Sequence, residues 1–135
     1  MTTDDPRLAE LLAAAQGVAD RAYSPYSGVR VGAALEGADG RVHLGCNVEN
    51  ASYGATICAE RSALSAAVAA GASDLTRLVL WASPRARLMP CGVCRQVLAE
   101  LAPDLEVVVA SSGAAPAAFR LSELLPHAVR GDDLR

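Results

Sequence analysis

Three cysteines and one glutamate offer the most specific chemistry in the sequence. Cys58 and Glu60 lie in the segment CAER at 58–61, and Cys91 and Cys94 lie in PCGVCR at 90–95. Three thiolates leave a tetrahedral zinc ion one open position, which distinguishes a catalytic zinc from a structural one. Zinc lowers the pKa of bound water to about 7, and a nearby carboxylate can then move protons to a substrate. We therefore predict a hydrolytic enzyme with one Zn²⁺ per subunit and Glu60 as its catalytic proton carrier.

All three thiols are predicted to lie at helix N-termini. Cys58 opens one predicted helix, and Cys91 and Cys94 are close enough at the start of another for both sulfurs to face one side. The free N–H groups and the positive dipole end of a helix favour the thiolate form. Because three thiolates outweigh the charge of one Zn²⁺, we predict that Arg61 and Arg95 hydrogen-bond to the ligand sulfurs.

These residues also have a purely structural interpretation. The zinc could be structural, with His43 or His127 as a fourth ligand, although four-cysteine sites usually come from two Cys-x-x-Cys segments and this chain has one. Glu60 could be a solvated acid at a helix N-terminus, but the largely apolar helix that follows it favours burial. Cys46, at the end of an apolar strand, is interpreted as a buried inert thiol.

The composition argues against several classes of partner. With 135 residues, 20% of them charged, and a net charge of −3, the chain lacks the basic stripe typical of nucleic-acid binding. No apolar run reaches the roughly 18 residues that cross a membrane, and the acidic start at 1–7 is unlike a signal peptide. Cysteines without such a signal favour a reducing, cytoplasmic location. An apolar content of 52% favours a homo-oligomer.

The elements that must position these residues follow from hydrophobic spacing and turn signals. Helical periodicity predicts helices over 6–21, 58–70 and 94–101 and a short one at 121–125. Apolar runs predict a hairpin of strands over 29–35 and 41–46 and central strands over 78–82 and 105–110. The polar segment 47–56 is predicted to be a loop with binding groups. This order predicts a single domain, 1–135, with a three-layer α/β architecture.

Six motifs in order resemble the small homotetrameric zinc-dependent cytidine deaminases. They are AYSPYS at 22–27, VGAAL at 31–35, GCNVENA at 45–51, CAER at 58–61, PCGVCRQV at 90–97 and ELLP at 123–126. The resemblance spans nearly all of 22–134 and implies an α/β/α fold with a mixed central sheet of about five strands. It also implies hydrolytic deamination of cytidine or deoxycytidine to uridine or deoxyuridine plus ammonia, in pyrimidine salvage.

The resemblance further assigns roles to individual residues. It implies the same three zinc ligands and the same proton carrier as the residue chemistry. Asn47 and Glu49 match the pair that hydrogen-bonds the ribose hydroxyls, and the backbone of Ala59 would help to hold the pyrimidine. Ala51 and Tyr53 match positions that meet the substrate of a neighbouring subunit, so the active sites of a tetramer would be shared.

Two positions depart from the pattern of this family. Val29 stands where family members usually carry a phenylalanine that packs on the pyrimidine, and Val129 stands where another subunit donates one. Each change removes an aromatic stacking partner, which contributes on the order of 1 kcal/mol beyond area burial. We hypothesise weaker binding of cytidine, or tolerance of a bulkier or modified cytosine nucleoside.

Two alternative functions are compatible with the motifs. Deaminases of aminocytosine nucleoside antibiotics of the blasticidin S type share the CAE and PCxxCRQV motifs but lack the Asn-x-Glu-Asn segment present at 47–50. A zinc-stabilised assembly module that has lost catalysis would need the cysteines but would not need Glu60. Glu60 and the intact 47–50 segment favour a deaminase of plain cytosine nucleosides.

Overall fold

A computed structural model describes residues 5–84 and 88–135. Within these ranges the chain forms four α-helices, five strands and two short 3₁₀ turns, at Tyr53–Ala55 and Gly131–Leu134. In chain order the elements are α1 (Pro6–Ala19), β1 (Arg30–Gly37), β2 (Val42–Cys46), α2 (Ala59–Ala69), β3 (Leu75–Ser83), α3 (Gly92–Leu101), β4 (Glu106–Ser111), β5 (Ala114–Arg120) and α4 (Leu121–Leu124). None of these helices combines the length and apolar character needed to cross a membrane.

The five strands form one mixed sheet in the order β2-β1-β3-β4-β5. Strands β3 and β4 are parallel, and the other neighbours are antiparallel. Helix α1 packs on one face through Leu8, Leu11 and Ala15, while α2 and α3 cover the other face. Successive side chains of a strand point to opposite faces, so the strands supply both cores at once. The predicted three-layer α/β/α fold with a mixed five-stranded sheet is confirmed.

Two glycines allow helices to approach the sheet closely. A Cβ atom at Gly32 would lie 1.8 Å from the carbonyl oxygen of Ala15 in α1. A Cβ atom at Gly45 would lie 2.3 Å from the backbone nitrogen of Ala63 in α2. Because only a residue without a side chain fits, Gly45 fixes how near the first turns of α2 lie to β2. That contact places Cys58 and Glu60 at the end of the sheet.

The N-terminus of α1 is held to the sheet by ion pairs. The side chain of Asp5 caps the helix by accepting a hydrogen bond from the backbone N–H of Arg7, and it also pairs with Arg77 at 2.8 Å. The Arg77 guanidinium lies 3.5 Å from Glu106, and Arg7 pairs with Glu36. These residues lie at the end of the sheet opposite the cysteines, so they fasten a helix rather than form part of the metal site.

The boundaries predicted from sequence differ from the structure in a few places. Helix α1 ends at Ala19, and β3 is longer than predicted because it begins at Leu75. Strand β5 was not located by sequence reasoning. The outward face of α2 is exposed in the single chain, with Val68 54% accessible, whereas the apolar sequence of this helix led us to expect burial on most sides.

Candidate zinc and substrate site

Two helix N-termini bring the three cysteine sulfurs together. Cys58 is the N-cap of α2, Cys91 is the N-cap of α3, and Cys94 lies in the first turn of α3. Their Sγ atoms all lie within 4.8 Å of one another, with Cys58 to Cys91 at 3.9 Å and Cys91 to Cys94 at 3.4 Å. Tetrahedral zinc with Zn–S bonds of about 2.3 Å requires sulfurs about 3.8 Å apart. The cysteine triad therefore fits a zinc ion with little rearrangement.

The ionisation of the triad suits a cation. Hydrogen bonds from Cys94, Arg61 and Cys91 lower the pKa of Cys58 to about 5, the bond from Cys94 contributing most. The same bond to Cys58, together with burial, raises the pKa of Cys94. The lowered pKa favours the thiolate of Cys58, whose negative charge would attract a divalent cation. Thiolate is the form that zinc binds.

The two predicted arginine partners of the ligands have different contacts. Nη2 of Arg61 donates to the carbonyl oxygen of Thr56 at 3.1 Å and lies 3.8 Å from the Cys58 sulfur. Arg95 instead donates from Nε to the carbonyl oxygen of Pro90 and from Nη1 to that of Leu124, both at 2.8 Å. This corrects the expectation that Arg95 bonds to a sulfur: its guanidinium holds the segment before Cys91 against the short helix α4.

Glu60 lies beside the triad in a nearly dry environment. Its side chain is on the first turn of α2, it is 5% exposed, and it lines the same cavity as Cys58 and Cys91. Burial raises the pKa of Glu60, and the negative charge of Cys58 raises it further. A higher pKa makes this carboxylate a better proton acceptor than an exposed glutamate, which suits a general base that takes a proton from water.

A cavity of about 350 Å³ opens beside Glu60 and the cysteines. This is within the range of about 300–1,000 Å³ typical of small-molecule sites. Its lining combines apolar side chains with thiol, carboxyl, hydroxyl and amide groups. The residues that line it are Ser27, Val29, Val31, Asn47, Thr56, Ile57, Cys58, Ala59, Glu60, Leu80, Leu88, Met89 and Cys91. Another cavity, of about 240 Å³ beneath the C-terminal segment, contains none of the cysteines.

The predicted ribose partners are close to this cavity but are already hydrogen-bonded. The amide of Asn47 donates to the carbonyl oxygen of Val29 and accepts from the N–H of Val31, both at 2.8 Å. The Glu49 carboxylate accepts from the backbone N–H groups of Tyr26 and Ser27 and from the Ser27 hydroxyl. The Ser27 bond contributes most to lowering the pKa of Glu49. Both side chains therefore brace the segment that forms one wall of the cavity.

The remaining predicted substrate residues fall into two groups. Val29 and Ala59 line the cavity. Ala51, Tyr53 and Val129 are exposed and lie outside it, and the backbone oxygen of Val129 accepts a hydrogen bond from Gln96 at 2.9 Å. By the resemblance, these three positions contact the substrate of a neighbouring subunit, and this role stays a prediction.

The structural interpretations find little support in the geometry. Within 5–84 and 88–135, the cluster of metal-ligating atoms contains the three cysteines and neither histidine. His43 is buried in β2, where its Nε2 has no hydrogen-bond partner among the described residues, and His127 is exposed. Cys46 is half-buried and lies outside the cluster.

Sequence reasoning missed part of the cavity lining. The hydroxyl residues Ser27 and Thr56 and the apolar residues Leu88 and Met89 all line it. A signal was present for the last two, because they directly precede PCGVCR and the turn into α3 must lie beside the metal ligands. The signal for Ser27 and Thr56 was weaker, since hydroxyl residues are common in loops.

The mixed sheet, the two cysteine-capped helices and the buried glutamate define a zinc-binding α/β enzyme. Residues 6–111 match the family of the cytidine and deoxycytidylate deaminase zinc-binding region. The chain belongs to this family of zinc-dependent deaminases.

Individual relatives agree with this assignment. The chain is 46% identical over 114 residues to the cytidine deaminase of Halalkalibacterium halodurans, covering 84% of this chain and 86% of that one. It is 46% identical over 113 residues to the cytidine deaminase of Mycobacterium tuberculosis, covering 84% and 82%. The crystal structure of cytidine deaminase from Burkholderia pseudomallei superposes with a TM-score of 0.86 at 42% identity, covering 96% of this chain and all of that one.

Proposed function

We propose that this protein deaminates cytidine and deoxycytidine, using water to give uridine or deoxyuridine and ammonia. The observation that carries the proposal is that buried Glu60 lines a cavity of about 350 Å³ together with Cys58 and Cys91, two of the three clustered thiols. When bound, zinc would act as a Lewis acid that makes a water nucleophilic near neutral pH. Cys58, Cys91 and Cys94 are the residues that would hold it.

Glu60 would carry protons through the reaction. Its carboxylate accepts a proton from the attacking water and delivers it to N3 of the cytosine ring while C4 becomes tetrahedral. It then accepts the remaining hydroxyl proton and gives it to the exocyclic amine, which leaves as ammonia. Burial favours the neutral carboxylic acid more than water would, so the uptake of a proton from the attacking water is less uphill than it would be for an exposed glutamate.

The remaining residues would position the nucleoside. Val29, Val31 and the backbone of Ala59 contact the cytosine in this proposal. Asn47, which lines the same cavity, and Glu49, which lines an adjoining one that shares Ser27 and Thr56, contact the sugar. Arg61 would partly neutralise the thiolates, because its guanidinium lies against the Cys58 sulfur. Arg95 would hold the Cys91 segment through its two carbonyl contacts.

The experiment that tests this function measures zinc and turnover on the same samples. We expect one zinc per subunit and a fall in ultraviolet absorbance when the protein is added to cytidine. Glu60→Gln should keep the zinc and lose a factor of at least about 10²–10⁴ in kcat, because the proton path is removed. Glu100→Gln changes an exposed glutamate on α3 and is the matched control. Zinc binding without turnover of any cytosine nucleoside would instead favour an assembly module.

We further infer that residues 1–135 form one domain that assembles as a homotetramer with shared active sites. The two cores packed on one sheet support the single domain. Exposed apolar side chains, including Tyr26, Val48 and Tyr53, support the assembly. Light scattering coupled to gel filtration would measure its mass, and a monomer active at low concentration would contradict it.

The cellular setting also belongs to the proposal. The four cysteines are unpaired, which suits the reducing cytoplasm. The substrate would be a free cytosine nucleoside in pyrimidine salvage rather than a nucleic acid, in line with the net charge of −3. Turnover of cytidine but not of cytosine within a single-stranded oligonucleotide would support this assignment.

A further inference from the structure

Asn47 and Glu49 have a second task besides the sugar contacts expected of them. We propose that these two side chains form a clamp on the backbone of Val29, and that the clamp sets the position of the apolar wall against which the base lies. The nature of that base rests on the proposed function, but the clamp itself is visible in the hydrogen bonds of the chain.

The Asn47 half of the clamp adds side-chain bonds to the backbone pairing at the end of the sheet. The ladder between β1 and β2 runs from Glu36–Val42 to Gly32–Cys46, and one further backbone bond joins the N–H of Asn47 to the carbonyl oxygen of Val31 at 3.3 Å. Beyond it, the buried amide of Asn47 donates to the carbonyl oxygen of Val29 and accepts from the N–H of Val31. The orientation of the amide is fixed, because one partner can only accept and the other can only donate.

The Glu49 half reaches the same residue through a hydroxyl. The Ser27 hydroxyl donates to Glu49 and accepts from the N–H of Val29 at 3.0 Å. Glu49 also accepts from the N–H groups of Tyr26 and Ser27. The N–H and the carbonyl oxygen of Val29 are thus both held by side-chain contacts that originate at 47 and 49.

The clamp couples sugar recognition to the base pocket. Val29 lines the cavity together with Val31 and Leu80, so a shift of its backbone changes the width available to a ring. The Asn47 amide retains a second N–H, and the Glu49 oxygens can accept further hydrogen bonds. A ribose hydroxyl can therefore bind to them while the hydrogen bonds of the clamp remain in place. Loss of either side chain would therefore alter base selectivity as well as sugar affinity.

The test separates a positioning role from a sugar contact. In Asn47→Asp a carboxylate oxygen replaces the amide nitrogen that donates to the carbonyl oxygen of Val29. Ser27→Ala removes the hydroxyl group that links Glu49 to the N–H of Val29. Both are assayed with cytidine, 2′,3′-dideoxycytidine and 5-methylcytidine. We expect kcat/KM to fall at least tenfold on cytidine and on the dideoxynucleoside alike. We also expect the ratio of kcat/KM values for 5-methylcytidine and cytidine to change at least threefold. A loss confined to substrates with ribose hydroxyls, or an unchanged ratio, would overturn the clamp.

The control and a readout independent of activity complete the test. Gln16→Glu makes a similar amide-to-acid change on the exposed side of α1. It should change neither kcat/KM for cytidine nor the ratio of kcat/KM values for 5-methylcytidine and cytidine. Amide hydrogen exchange at Val31 should accelerate at least tenfold in Asn47→Ala, since its acceptor is removed, with global stability measured in parallel. Unchanged exchange would refute the clamp. If the wild-type protein deaminates no cytosine nucleoside, the proposed function fails and exchange alone still decides whether the clamp exists.

Discussion

Glu60 owes its chemical character to its surroundings rather than to its residue type. Glu100, on the neighbouring helix, has the same carboxyl group but is exposed to water. Glu60 is 5% exposed, follows a cysteine N-cap by two residues and has a raised pKa. Desolvation and the negative charge of the nearby sulfur raise this pKa, an effect that the sequence motif does not reveal by itself.

Val29 is the residue at which substrate choice is most open to change. Val29→Phe should add a ring to the cavity wall, and a stacking contact of about 0.5–1.5 kcal/mol corresponds to a two- to tenfold gain in kcat/KM for cytidine. The added volume should also reduce turnover of 5-methylcytidine relative to cytidine. Steady-state kinetics on both substrates would measure this change.

The control for this prediction separates the ring from its size. Val29→Leu enlarges the side chain without an aromatic face, so it should narrow the cavity and leave cytidine without the stacking gain. Equal gains in the two variants would show that volume rather than stacking governs binding at this wall.

The role of Asn47 shows where sequence reasoning reaches its limit at the residue scale. An amide at the end of a strand can hydrogen-bond equally well to a sugar hydroxyl or to backbone N–H and C=O groups. The sequence does not distinguish between these partners. The zinc ligands were more readily predicted, because three sulfurs at such spacing have few other uses in a reducing compartment.

At the scale of elements, the contact between β2 and α2 determines where the metal ligands lie. Gly45→Ala would place a Cβ atom 2.3 Å from the Ala63 nitrogen and 2.6 Å from the Ala59 oxygen. Because both atoms belong to the helix backbone, α2 must move, and we expect a loss of about 1–3 kcal/mol in the free energy of unfolding. The zinc content at limiting metal should fall with it. Urea denaturation and metal analysis would measure the two effects.

Gly17→Ala is the matched change with the opposite expected sign. A Cβ atom there meets nothing within 4 Å, and the residue lies within α1. Alanine should stabilise this helix by about 0.5–1 kcal/mol. A Gly45→Ala variant that is as stable as the wild-type protein would mean that glycine at 45 is not required for the helix contact.

The cap of α1 should make stability depend on acid pH. The hydrogen bond from Arg77, with smaller help from the Arg7 N–H, lowers the pKa of Asp5 below its unfolded value. The unfolded chain therefore binds this proton first, and the stabilisation is lost as the pH falls below about 4. Asp5→Asn should flatten the dependence of the thermal midpoint on pH between about 5 and 3. Asp104→Asn, at a carboxylate without an ion pair in 5–84 and 88–135, should leave that dependence intact.

Elements with strong periodicity or end signals were predictable, and β5 was not. Helices α2 and α3 were located by their cysteines and apolar spacing, and Gly71 ends α2 in a left-handed conformation as its position predicts. Strand β5 reads AAPAAFR, with alanines and a proline that have low strand propensity. It forms because it lies at the sheet edge beside β4, where proline is tolerated and pairing is supplied by the neighbour.

At the scale of the whole molecule, shared active sites can be tested by mixing defective subunits. Tyr53 is 78% exposed in the single chain, and Glu60 serves the chain's own cavity. If Tyr53 completes a neighbour's site, hybrids of Tyr53→Ala and Glu60→Gln subunits contain sites with both native residues. Co-expression should then give activity severalfold above either parent. Glu60→Gln mixed with Cys58→Ala has no intact combination and is the negative control; no gain in the first mixture would refute sharing through Tyr53.

The triad joins two helix ends that are 33 positions apart in the sequence. An ion held there would restrain the intervening chain much as a covalent staple does, and its binding free energy would add to that of folding. In a cell short of zinc, the protein should therefore lose stability as well as activity. The metal-free chain unfolds more often and is then exposed to proteases. We expect the abundance of this protein to follow the supply of its metal.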